Sequence, residues 1–210
     1  MKEYTKKSAI QCIEELNRLA VTLQVKDLAD YVLKNEKFIY WSASAERHQH
    51  HHGDYGLVHH THEVVTSCLA MVEFYPQYEI DKRVLFLAAL FHDFGKTEDY
   101  ERVGERRVQK GILVSNHSAF WQGTIHKRRI HHITESVMAW DRAMQRAIEE
   151  KDIDNFDELH DSVTHAILSH HGRREWGSPV SPNTREAWLL HLCDGISARL
   201  CDCETLDRLS

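Results

Sequence analysis

Residues Val84–Lys96 read VLFLAALFHDFGK, and the fold turns on this stretch. Val84 to Phe91 are apolar without a break, and then His92 and Asp93 arrive as a doublet ahead of Phe94, Gly95 and Lys96. The apolar run is far too short to cross a membrane, which takes about 20 residues. Its leucine and alanine content and the glycine stop predict a helix buried inside a globular domain rather than a strand. Gly95 is expected to end that helix by taking positive φ, which leaves His92 and Asp93 at an exposed mouth. An imidazole beside a carboxylate suits a divalent cation, because the carboxylate's two oxygens can bridge two ions. Taken alone, the doublet more simply caps the helix.

Working outward, composition sets the frame. Nine glycines and three prolines among 210 residues, with aliphatic periodicity, predict a mostly α fold of one compact domain. A formal charge of −6 rules out a global basic field of the kind that advertises nucleic-acid binding. Local basic patches remain at Arg106–Arg107, Lys127–Arg128–Arg129 and Arg173–Arg174. Histidine is the anomaly: there are 17, several clustered at His48, His50, His51 and His52. The five cysteines form no CxxC pair, which predicts free thiols in a reducing compartment. The first residues, MKEYTKKSAI, lack the apolar core of a signal peptide, so the cytoplasm is expected and no membrane association.

Helices are expected over Ser8–Gln24, with Ser8 as cap, and over Lys26–Leu33. Phe38–Tyr55 reads as irregular. Gly56 opens a helix that Pro76 ends. On it His60 shares the inward face with Val64, where a lone histidine is more simply a hydrogen-bonded core residue. His59 and His62 are expected to face water. Thr97–Lys127 reads as an excursion, part strand, with ERRVQKGILVS a β-hairpin within 98–127; His117 and His126 receive no role. Further helices are expected over Arg129–Glu150, opened by His131 and His132, and over Asp157–His171, stopped by Gly172. The last runs from Thr184 to Leu206 with Leu189, Leu192, Ile196 and Leu200 toward the core. Asp194 interrupts it and needs a partner, a metal or a basic side chain, since an unpaired buried carboxylate is costly.

His60, His92–Asp93, His132, His170–His171 and Asp194 thus fall near helix ends or on inward faces. In that order they resemble the HD superfamily of metal-dependent phosphohydrolases. GLVHHTHEVV resembles the family's first-histidine helix and places the ligand at His60 rather than His59; HDFGK matches the HD-x-G-K form. ILSHHGRREWGSPVSPNTREAWLLHLCDGISARL resembles the HD domain of bacterial 3′–5′ exoribonucleases. The resemblance covers roughly residues 49–200 and is weak over 97–127. It implies a helical bundle around one or two metals, an HD domain over 41–210, and N-terminal helices in 1–40 packed on it. It implies one ion held by His60, His92, Asp93 and Asp194, and a second held by Asp93, His132, His170 and His171, with Asp93 bridging. Imidazole-rich ligation suits Mn, Fe, Co, Ni or Zn better than Mg. Asp93 and Lys96 are the expected catalytic pair. Lys96, Arg128, Arg129 and Arg173 are candidate phosphate contacts; for Lys96 a cation at a helix C-terminus, and for the arginines a solvated surface, are the plainer roles. The reaction expected is hydrolysis of a phosphoester in a nucleotide or single-stranded (oligo)nucleotide. Because the chain begins close to the HD core, the strand-holding OB-type domain of those exoribonucleases is expected to be missing. A di-iron oxygenase on the same scaffold and a non-catalytic metal-binding or regulatory module are the alternatives; oligomeric state is not legible.

Overall fold

The computed structural model describes residues 4–46, 49–104, 108–109, 112–113, 120–150 and 156–206. His48, Arg106, Arg107, His117 and part of the expected hairpin lie outside these residues.

The helix from Lys82 to Phe91 (α5) is the axis of the fold. Asp81 starts it, its carboxylate accepting from the backbone N–H groups of Arg83 and Val84 at 2.7 and 3.3 Å. Every residue from Val84 to Phe91 is buried, so α5 presents apolar surface all round. Such a helix needs cover on all sides. It is supplied by Lys26–Leu33 (α2), Gly56–Phe74 (α4), His132–Glu150 (α8), Phe156–Ser169 (α9) and Arg185–Leu206 (α10). Each fully buried leucine or phenylalanine on α5 contributes roughly 1.5–3 kcal/mol. Lys6–Thr22 (α1) packs on α2 and α4, and its Ala9, Leu16 and Ala20 join the same buried cluster.

The chain is mostly helical, as expected, but several boundaries move for local reasons. Thr5 rather than Ser8 caps α1; Ser8 closes a reciprocal capping box from the third helical position. Phe38–Tyr55 is not wholly irregular, because Asn35 caps a short helix, Glu36–Tyr40 (α3), whose Phe38 is buried. His59 and His62 do not simply face water: His59 Nε2 lies 2.9 Å from Ser8 Oγ and His62 Nε2 lies 2.8 Å from Glu15 Oε2, which ties α4 to α1.

Gly95 does not take positive φ. Its φ is −61°, and the chain turns on into a short helix, Lys96–Asp99 (α6). A glycine is needed there for space. An added Cβ would sit 2.2 Å from the carbonyl oxygen of His132, so α8 could not approach this closely. His92 and Asp93 are correspondingly buried, at 0 and 2 % exposure, and not at an exposed mouth.

The expected helix over Arg129–Glu150 is broken in two. Ile125–Arg129 (α7), capped by Thr124, ends at Ile130; His131 takes φ +71°; α8 then starts at His132. Asp99 fixes this start, its Oδ2 accepting from the His132 N–H at 2.9 Å.

The excursion after α6 contains strand. Tyr100–Val103 (β1) pairs antiparallel with Phe120–Gly123 (β4), Tyr100 opposite Gly123. Val108–Gln109 (β2) pairs with Ile112–Leu113 (β3). Trp121 anchors the first pair, its indole N–H donating to Asp54 Oδ1 at 3.2 Å.

The face of α10 is also corrected. Leu192, Ile196 and Leu200 are 52, 47 and 66 % exposed, and only Leu189 of the expected row packs against the core. The buried row is Ala187, Leu190, Cys193 and Ser197. Asp194 and Ser197 turn toward His60, and helical geometry then rotates the leucine row out of the core.

Candidate metal centre

Five segments converge at one end of α5. His60 points in from α4, His92 and Asp93 follow α5, His132 opens α8, His170 and His171 follow α9, and Asp194 comes from the middle of α10. A glycine at position 172 permits the turn after His171. Its φ is +83°, and an added Cβ would lie 2.4 Å from the His191 ring.

The donors form two groups that share Asp93. In the first, His60 Nε2 lies 3.2 Å from His92 Nε2, from Asp93 Oδ2 and from Asp194 Oδ1. In the second, His132, His170 and His171 each offer a ring nitrogen, all within 4.8 Å of one another. Asp93 Oδ1 faces that group, 3.4 Å from His132 Nε2 and 3.8 Å from His170 Nε2. One carboxylate therefore sends one oxygen to each group.

Ring orientation is fixed from behind. Nδ1 of His92 donates to the Ala89 carbonyl at 2.8 Å, Nδ1 of His170 to Ile167 at 2.7 Å and Nδ1 of His171 to Trp176 at 2.8 Å. These bonds select the tautomer that leaves Nε2 with a lone pair toward the centre. His60 Nδ1 lies 3.2 Å from Ser197 Oγ, which donates onward to Glu63 Oε2 at 3.0 Å. His132 Nδ1 is 3.4 Å from Asp99 Oδ2, and Asp99 Oδ1 is 2.9 Å from His126 Nδ1.

The centre is built for a cation. Asp93 Oδ1, His132 Nε2 and His170 Nε2 are buried and find no hydrogen-bond partner among the described residues, which costs free energy unless something electrophilic sits between them. Burial pushes His132 down to about 4 and His170 well below the ordinary imidazole range, so both present neutral nitrogen donors. For His60 burial works in the same direction, but the hydrogen bonds to Asp194 and Asp93 prevail and raise it to about 9. Asp93 resists the upward push of burial and stays well below the usual carboxylate range, held there by Lys96 and His92. The Lys96 ammonium lies 2.6 Å from Asp93 Oδ2 and is itself buried. Neutral imidazoles, as at His132 and His170, with ionised carboxylates are the donor set of a transition-metal site, and an ion bound beside His60 would displace its proton.

The centre opens into a cavity of about 810 Å³. Asp93, Lys96, His132, His170, His171 and Asp194 all line it. Of the basic candidates, Arg128 and Arg129 are exposed on α7 and do not line the cavity, whereas the neighbouring Lys127 does. Arg173 is exposed and lies over the Trp176 ring at 5.1 Å. Several residues of the site escaped sequence reasoning. His50 lines the cavity and is pushed down to about 3 by burial and by Lys96, yet in sequence it is one histidine of a cluster. Asp99 and Ser197 carried no signal of their own, and the register of α6 and α10 against the centre reveals them; Trp176 lies inside the stretch that resembles the exoribonucleases but was given no role, and the turn at Arg174–Trp176 brings it to the cavity.

A family model described as the HD domain matches residues 57–199. Among curated proteins, the chain is 28 % identical over 191 residues to the 3'-5' exoribonuclease YhaM of Shouchella clausii, covering 90 % of this chain and 53 % of that protein. It is 27 % identical over 176 residues to the protein of the same name from Bacillus subtilis, covering 84 % of this chain and 49 % of that one. The chain thus spans about half the length of the curated relatives it matches. No solved structure matches it.

Proposed function

The chain belongs to the HD domain family, and from that premise we propose that it is a metal-dependent phosphohydrolase cleaving phosphodiester bonds in a nucleotide or single-stranded oligonucleotide, in the manner of a 3′–5′ exonuclease. One observation carries the reading: the buried Asp93 carboxylate aims one oxygen at each of two donor groups, and the second group holds unpartnered atoms. The name of the relatives, 3'-5' exoribonuclease, supports the substrate class.

In this reading His60, His92, Asp93 and Asp194 would hold one divalent ion, and Asp93, His132, His170 and His171 a second. Mn, Fe, Co, Ni or Zn suits these donors. Such ions supply Lewis-acid charge for phosphoryl oxygens and a water acidified toward neutral pH. The chain's own residues do the rest. Lys96 holds Asp93 ionised and stands at the cavity surface, where its ammonium donates to a phosphate oxygen. Lys127 adds positive charge to the same wall. The backbone carbonyls behind His92, His170 and His171 keep those rings aimed while substrate exchanges. Among the described residues no helix is long and apolar enough to cross a membrane. The unbridged, buried thiols of Cys12, Cys68 and Cys193 support a reducing, cytoplasmic setting.

The test is metal content of protein purified without chelator or nickel resin, read with Mn²⁺-dependent hydrolysis of bis-p-nitrophenyl phosphate and of a 5′-labelled single-stranded oligonucleotide. About two metals per chain and stepwise shortening from the 3′ end are expected. Bound iron with oxygen consumption and no phosphoester turnover would overturn the proposal, as would an Asp93→Ala protein that keeps its full metal content.

A further inference from the structure

The cavity at the metal centre has two chemically unlike linings. One is polar and carries the donor groups, Lys96 and Lys127. The other is mainly apolar and comes from α10: Leu192, Ile196 and Leu200, spaced four residues apart and each about half exposed or more, with Arg199 and His191 beside them and the Trp176 indole, 57 % exposed, from the preceding loop. The aliphatic row was expected in the core and is instead turned out into the cavity. Apolar side chains left in water beside a charged centre call for a ligand with both characters. The row extends about 12 Å along the helix at 1.5 Å per residue, room for about three bases at 3.4 Å spacing.

Trp176 is bound to the centre by its own backbone. Its carbonyl accepts from His171 Nδ1 at 2.8 Å, so the backbone that carries the indole is held at a fixed place relative to that ring. The Arg173 guanidinium lies over the indole, 5.1 Å from its centroid, adding a cation beside an aromatic surface. A flat apolar ligand joined to an anionic one fits this arrangement: bases against the apolar lining, phosphate at the polar one. The four apolar side chains offer no hydrogen-bond acceptor and only the indole N–H as donor, so they have little means of distinguishing one base from another.

Resting on the phosphohydrolase reading, we infer that Trp176, Leu192, Ile196 and Leu200 form a base-binding wall for single-stranded nucleic acid, holding the bases next to the phosphate at the centre with little regard to their identity. Stacking of a base on an aromatic side chain is worth about 1–3 kcal/mol and is sequence-tolerant because every base has a π face. The wall gives this chain a strand-holding surface of its own.

The test is equilibrium binding of labelled short oligo(A), oligo(U) and a matching abasic strand to the full chain. It is followed by fluorescence anisotropy with EDTA present, so that no hydrolysis intervenes. Trp176→Ala keeps the backbone carbonyl that holds His171 and should weaken oligo(A) and oligo(U) about tenfold or more. Trp176→Phe should recover most of that loss, and Leu200→Ser, at the most exposed position of the row, should show a smaller loss. Wild type should prefer either base-bearing strand over the abasic one, and Trp176→Ala should lose that preference. Equal binding by wild type and Trp176→Ala, or no preference of wild type over the abasic strand, overturns the inference. So does a dimer that Leu200→Ser dissociates in sedimentation while oligonucleotide binding is unchanged, which would assign the stripe to a second copy of the chain. Failure of Mn²⁺-dependent hydrolysis in wild type would instead strike the phosphohydrolase reading and leave the binding comparison standing.

Discussion

Replacing Gly95 by alanine tests the geometry that delivers His132 to the centre. The new Cβ would lie 2.2 Å from the His132 carbonyl oxygen and 2.8 Å from its Cα, while ordinary contact begins at 3.4 Å. Both atoms are backbone, so no side-chain rotation relieves the clash; the start of α8 must retreat by more than 1 Å. The retreat also strains the hydrogen bond from Gly95 N–H to Ser136 Oγ, now 2.9 Å. Overpacking of this kind costs about 1–3 kcal/mol. It carries His132 Nε2 off its place facing Asp93, and a displacement of about 1 Å at such a centre can cost about a hundredfold in rate. Urea denaturation gives the stability, and titration of Mn²⁺ into the stripped protein gives the affinity. Gly195→Ala is the control, because a Cβ there meets nothing within 4 Å and lies inside α10; it should stabilise by about 0.5–1 kcal/mol. Gly95→Asn separates two accounts of the same glycine. A helix-ending residue at positive φ tolerates asparagine, whereas a close approach makes asparagine worse than alanine. Wild-type stability and metal affinity in Gly95→Ala would refute the close-approach account.

Leu87→Ala, in the fully buried middle of α5, should cost about 2–5 kcal/mol in urea denaturation; a loss under about 1 kcal/mol would mean that the site repacks. Asp99→Ala removes the carboxylate behind His132 and should lower metal affinity about 10- to 100-fold by calorimetry; unchanged affinity would show that α8 holds His132 unaided. The metal-stripped protein should be most stable near pH 6.5, the ordinary histidine value. Burial depresses His132 to about 4 in the folded state, so its contribution is complete above 6.5 and is lost as pH falls through about 4. His60, which its carboxylate partners raise to about 9 in spite of burial, contributes fully below 6.5 and loses that contribution as pH rises through about 9. Urea midpoints that change in one direction only from acid to alkaline pH would contradict this pairing.

The apolar run of α5 and the helical class were legible because burial on every side leaves a compositional mark. The candidate donors were legible as polar interruptions, since His60, His92, His170 and Asp194 stand where apolar residues otherwise would. What the sequence did not disclose depends on rotation and close contact. The leucine row of α10 has helical spacing whichever way the helix turns; the inward turn of Asp194 and Ser197 decides its face, and that depends on His60 from a distant helix. The break at His131 was hidden because its cause, Asp99 accepting from the His132 N–H, lies across the excursion. Gly95 was identified as necessary for a reason that proved incorrect, since a glycine reads the same whether it supplies a dihedral or a gap.

The donors at the centre are gathered from His60 to Asp194 along most of the chain, and an unfolded chain does not assemble them. A cation taken up there binds the folded state alone, so its concentration sets a share of the folding equilibrium. An ion present at about 100 times its Kd adds about 2.7 kcal/mol. Marginally stable chains are removed by proteases in proportion to the fraction unfolded. Scarcity of the ion would then shorten the lifetime of the protein as well as slow its chemistry, and the amount of the protein in a cell would follow the supply of metal.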